Sequence, residues 1–123
     1  EGANDAFGGT LSLSSDGKVL AAGGILNDGN GIDSGHVRVY NFDSSNYVQL
    51  GQDIDGEAAG DLAGGSLALS ADGNVVAVGS PFHDGEKGHV RVFVCTDVQD
   101  DSAAHQVYVQ SLWVLFFFIF MLV

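Results

Sequence analysis

Apolar and polar positions alternate in short runs along most of the chain, with glycine pairs between the runs. Leu11 and Leu13 alternate with Ser12 and Ser14, the period of two expected of a strand with one apolar face. Asp16-Gly17 then precedes a returning apolar run, and Asp72-Gly73 holds the same place further on. This dipeptide predicts a two-residue type I′ hairpin, which needs positive φ at both central positions. The returning run Val75-Val76-Ala77-Val78 is continuously apolar, as expected of a strand covered on both faces. Polar loops follow over residues 26–35 and 82–88. The run His36-Val37-Arg38-Val39-Tyr40 predicts a third strand, with His, Arg and Tyr on one face and the valines on the other. Tyr47-Val48-Gln49-Leu50 predicts a fourth, leading into an acidic linker over residues 53–61.

These elements occur twice. The stretch from Gly8-Gly9-Thr10-Leu11 to Ala22-Gly23 recurs from Gly64-Gly65-Ser66-Leu67 to Val78-Gly79, an offset of about 56 residues. Gly35-His36-Val37-Arg38-Val39-Tyr40 recurs as Gly88-His89-Val90-Arg91-Val92-Phe93 after a shorter loop. More than half of the aligned positions are identical, beyond what shared composition produces. Four short antiparallel strands in ~50 residues are the unit of a β-propeller blade. The expected fold is therefore all-β, two tandem four-stranded antiparallel blades of a larger propeller. Residues 1–56 form the first blade with its linker, and 57–110 the second, its last strand near Val107 to Gln110. Residues 111–123 are an apolar tail.

Composition narrows the function classes. Four basic residues, Lys18, Arg38, Lys87 and Arg91, stand against 16 acidic ones for a net charge of −12, which excludes nucleic-acid recognition. The 18 glycines and single proline suit tight turns. Cys95 is the only cysteine, so an intramolecular disulfide and a cysteine-cluster metal site are both excluded; it reads as a small buried hydrophobe. The chain begins at Glu1 without an initiator methionine or signal peptide and reads as a fragment.

Phe7-Gly8 and Gly79-Ser80-Pro81 resemble degenerate forms of the two signatures of the FG-GAP repeat. That repeat builds the propeller of integrin α-subunit heads and of many secreted or surface proteins. The resemblance covers about Asn4 to Phe93 and implies a non-catalytic binding or adhesion module, extracellular or at the cell surface, with a protein or glycan partner. The sequence departs from the pattern at Ala63, where the first copy has Phe7, and at Gly24-Ile25, where the second has Ser80-Pro81. Integrin-type blades carry a calcium loop between their first two strands; the Asp16-Gly17 turn leaves no room for one, so that site is not carried over. WD-type and TolB-like propellers resemble the chain in their Asp-Gly hairpins.

Candidate chemistry is sparse. His36 and His89 hold equivalent positions, which favours packing at a strand start over catalysis, because catalytic groups are seldom reproduced in every repeat. No nucleophile elbow, P-loop, dinucleotide fingerprint or H-E-x-x-H occurs. Asp53, Asp55, Glu57 and Asp61 alternate in a way that suits Ca²⁺, although glycine is fourth here rather than sixth as in an EF-hand; a solvated linker is the competing reading. In a propeller, Asp28, Asp33, Asp84 and Glu86 join Asp5 and these four on one acidic rim, which attracts Ca²⁺ or a basic partner or serves solubility. On that reading no arginine belongs to the rim, and Lys87 is its one nearby cation. The enzyme alternative is a propeller hydrolase or lyase whose catalytic residues lie in other blades.

Residues 112–123 carry twelve consecutive apolar positions beginning Leu112-Trp113, short of the ~20 that cross a bilayer as a helix. Three readings stay open: the first half of a membrane anchor, a short buried element, or a mistranslated tail.

Overall fold

The computed structural model describes residues 2–95. The expected last strand near Val107 to Gln110 and the apolar tail at 112–123 lie outside them. No helix among the described residues is long and apolar enough to cross a membrane.

The chain is all-β. Strands β1 (Phe7–Leu13), β2 (Val19–Gly24), β3 (His36–Phe42) and β4 (Tyr47–Asp55) form one antiparallel sheet in sequential order. Strands β5 (Ser66–Leu69), β6 (Val75–Ser80) and β7 (His89–Val94) form a second. Two strands are longer than their apolar patterns predicted. β3 runs on to Phe42, and β4 runs on to Asp55, so Asp53 and Asp55 belong to a strand rather than to the linker. A bulge in β4 sets three residues opposite Arg38, with Gly51 at φ 65°, and turns Asp53 toward that arginine.

The hairpin turns differ from the predicted type I′. Gly17 N–H donates to Ser14 O and Ser14 N–H to Val19 O, enclosing a four-residue loop in which Gly17, and not Asp16, has positive φ. Asp16 instead locks the turn by its side chain, accepting from Ser14 Oγ at 2.8 Å and from Lys18 N–H at 3.0 Å. Ser70, Asp72 and Asn74 repeat that lock at 2.7 and 3.0 Å. The Asx-type bond does locally what the second left-handed residue would have done. The loop before β7 coils through one turn, α1 (His83–Glu86), but Asp84, Gly85 and Glu86 all carry positive φ, so it is a left-handed turn.

The two sheets stack unlike face on unlike face. Register places Leu11, Ala22 and Arg38 on one face of the first sheet with Leu13, Leu20 and Tyr40. The opposite face carries Ala21, Val37, Val39, Leu50 and Ile54 and enters the core. The second sheet meets it with Leu67, Leu69, Val76, Val78 and Phe93, the repeat counterparts of the first sheet's other face. Val37, Val76 and Val78 are 0 % exposed and Phe93 2 %. Consequently Leu11 and Leu13, which the alternation marks as a core face, are 62 % and 57 % exposed, while Ser12 and Ser14 point between the sheets. The run Val75 to Val78 is likewise buried on one face only, through Val76 and Val78. Seams of hydrogen bonds fix the stack: Thr10 Oγ1 donates to Gly64 O at 2.6 Å, and Leu69 N–H to Ser12 Oγ at 2.9 Å.

Candidate functional site

The loops at one end of the stack are tied together. Gly60 N–H donates to Ile32 O, Leu62 N–H to Asp33 O, and Asn30 Nδ2 to Gly56 O, joining the β2–β3 loop to the connection between sheets. Gly35 runs against that connection at φ 72°, where a Cβ would collide with the Ala63 carbonyl oxygen. The β2–β3 loop and the connection between the sheets thus lie side by side. The β6–β7 turn reaches the same connection through His83.

The predicted acidic residues are not equivalent once placed. Asp28, Glu57, Asp84 and Glu86 are exposed and Asp33 is partly so. Asp84 pairs with Lys87 at 2.7 Å on the open surface. Asp28 Oδ1 accepts the Asp33 amide. Asp5, however, is buried and accepts from Gly2 N–H and Asn27 Nδ2, so it is a loop-closing group. Asp53 lies in a fork: Arg38 Nε and Nη2 each donate to one of its oxygens at 2.8 Å, and Gln49 donates at 2.8 Å. The Arg38 bond holds the Asp53 carboxyl below its usual range against the opposing effect of burial. Arg38 and Arg91 thus both reach the acidic end: Arg91 Nη1 lies 4.0 Å from Glu57 Oε1, and its Nη2 donates to Asp55 O at 2.6 Å. The rim is less purely negative than the sequence implied.

The quartet expected to favour Ca²⁺ is likewise divided among partners. Asp53 serves Arg38, while Asp61 and Glu57 gather with histidines. Among the described residues, two groups bring possible ligand atoms within 4.8 Å of one another: His36, Asp53 and Asp55; and Glu57, His83 and His89. In the first, Asp53 is already occupied by its arginine, and His36 is 1 % exposed with its ring edge-on to Phe7.

The second group is built more openly. Asp61 is 2 % exposed, and its Oδ2 accepts the amides of Glu57 and Ala58, each at 3.1 Å. The same oxygen lies 3.0 Å from His83 Nδ1. Burial pushes the Asp61 carboxyl up, but the His83 bond, the two amides and the charge of His83 outweigh it and leave it below its usual range. An ionised Asp61 accepts a hydrogen bond from Nδ1–H of His83, the tautomer whose acceptor nitrogen is Nε2. That Nε2 lies 3.8 Å from Glu57 Oε2, and His89 Nδ1 lies 3.6 Å from the same oxygen. The two imidazole rings stack at 3.7 Å. Burial first, then the charges of His83 and Arg91, lower the pKa of His89, whereas Glu57 and Asp61 oppose them. Nε2 of His89 and Oγ of its cross-strand neighbour Ser80 are buried with no protein hydrogen-bond partner.

His83 escaped the sequence reading, yet a signal for it existed. Carrying the repeat back one step aligns Asp61 with Asp5 and His83 with Asn27. The structure bears that alignment out: Asn27 donates to Asp5 at 2.9 Å where His83 meets Asp61 at 3.0 Å. His89 is a repeat position; His83 is where the second repeat departs from the first. Cys95 is buried, and burial raises its thiol pKa, which suits an inert core residue.

Compared with known proteins, the chain matches no family model and no curated sequence.

Proposed function

We propose that this chain is a non-catalytic binding module, two consecutive blades of an FG-GAP-like β-propeller that is secreted or displayed at the cell surface. The observation that carries the reading is the unlike-face stacking of two repeat-related sheets. Each unit offers its Val37-type face to the Leu69-type face of the next, and such a heterologous contact extends with added units. Four to eight blades of this kind close into a ring. The open Leu11–Leu13 face of the first sheet fits a preceding unit, and the open face of the second, where Val90 is 64 % exposed, fits a following one.

The binding surface of this module is the end where the loops meet. Asp28, Asp33, Glu57, Asp84 and Glu86 there favour a basic partner, with the field only partly offset by Lys87 and Arg91. Titration of the chain with a lysine-rich peptide at low ionic strength tests this. Saturable binding that weakens as salt is added, and that falls when Asp28 and Glu86 become Asn and Gln, is expected. A chain that binds no such peptide at low salt has no such surface. Ca²⁺ titrated in parallel distinguishes an acidic rim that takes a cation from one that takes a peptide.

A further inference from the structure

We propose that His83, His89 and Glu57 form a binding site for a first-row divalent transition-metal ion of the Zn²⁺ class, with Asp61 as the residue that positions it. The inference rests on side-chain geometry and is independent of the propeller reading.

The donor set decides the class of ion. Two imidazole nitrogens and one carboxylate oxygen suit Zn²⁺, Ni²⁺, Cu²⁺ or Fe²⁺, whereas Ca²⁺ and Mg²⁺ take oxygen ligands. Donors at about 2.0–2.1 Å from a tetrahedral ion stand roughly 3.3–3.4 Å apart. Glu57 Oε2 is 3.6 Å from His89 Nδ1 and 3.8 Å from His83 Nε2, each a few tenths of an ångström beyond that spacing, and the three donors lie within 4.8 Å of one another. Arg91 lies toward the other oxygen, Oε1, and leaves Oε2 to the histidines.

Asp61 supplies an independent observation. It is nearly fully buried, held by two amides, and aimed at the far nitrogen of His83. A carboxylate behind a histidine fixes the tautomer that presents the other nitrogen to a metal and raises its basicity. The lone pairs of stacked rings run side by side, so ligation opens the stack. His83, 26 % exposed against 10 % for His89, is the ring with room to turn. Three protein donors leave the remaining coordination position to water or to a partner's side chain.

The repeat provides a substitution that removes the site and preserves the fold. His83→Asn installs the residue that the first repeat carries at this place, where Asn27 bonds Asp5. Zn²⁺ alone, added to the untagged full chain in competition with a chromogenic chelator, should bind at one equivalent. H83N and E57Q should each weaken it by about 10-fold or more, and D61N by about 10- to 100-fold, the usual effect of losing a positioning partner. Nitrogen chemical shifts of the His83 ring should move between tautomers in D61N, which a merely structural role for Asp61 does not require. The paired variant D84N/E86Q removes two nearby charges without touching the ligands and should bind as the parent does. Absence of a bound equivalent, unchanged binding in H83N, or equal weakening in D84N/E86Q would each overturn the site.

Discussion

Leu13 and Leu69 occupy the same place in the repeat, yet Leu13 is 57 % exposed while Leu69 packs against the core between the sheets. The difference is one of neighbours. Leu69 has a sheet stacked on its face; Leu13 has none among the described residues. Leu11, at 62 % exposed, extends the open patch, which is the kind of surface that draws partners or self-association. Leu11→Lys with Leu13→Lys should therefore reduce concentration-dependent association in sedimentation velocity and change the unfolding free energy from urea titration little, by about 0.5 kcal/mol or less. Association that persists undiminished would place the contact elsewhere.

Tyr40 and Phe93 make the same comparison at larger size. Phe93 is 2 % exposed in the core, and its truncation to Ala should cost about 3–5 kcal/mol. Tyr40 lies on the open face, partly exposed, and Tyr40→Ala should cost about 1 kcal/mol or less. Equal losses in urea unfolding would mean that Tyr40 is covered in solution.

Gly35 tests how the two sheets are joined. It combines φ 72° with close backbone approach to Ala63, so Ala there meets both a left-handed strain of about 1–2 kcal/mol and a clash of about 1–3 kcal/mol. Gly35→Ala should lower stability by roughly that sum, whereas Gly85→Ala, also at positive φ but with open space around its Cβ position, should lose only the strain. Indistinguishable melts for the two variants would argue against close packing at the junction.

The elements were legible because strand period and repeat reinforce one another: Leu11 and Leu13, Val37 and Val39, and the His-Val-Arg-Val runs all fall in strands. Which face met which was not legible. Alternation reports that Leu11 and Leu13 share a face, but whether that face is covered depends on a neighbouring unit. The turn type failed for a local reason: an Asp side chain can satisfy the turn amides without entering the left-handed region. At the site, Glu57 and Asp61 were singled out as carboxylates beside a cation. Their histidine partners come from a turn and a strand more than twenty residues away, and His83 showed itself only as a break in the repeat.

Acid should lower the stability of the fold in two steps. Burial and the nearby charges of His83 and Arg91 hold the pKa of His89 below its ordinary 6.5, against the pull of Glu57 and Asp61. The folded state thus takes up a proton at His89 less readily than the unfolded chain does. The stability this group contributes is fully present above pH 6.5 and is lost as pH falls through the folded pKa. Asp53, lowered chiefly by the Arg38 bond, and Asp61, where the His83 bond and two amides overcome burial, contribute stability present above pH 3.8. That increment is lost as pH falls through their lowered values. Unfolding free energies from urea titrations, taken with chelator present to keep metal out of the site, should decline first in mildly acidic buffer and again in strongly acidic buffer. His89→Gln should flatten the first decline and leave the second, whatever it does to stability at neutral pH. A first decline of unchanged slope in H89Q would assign it to a different group.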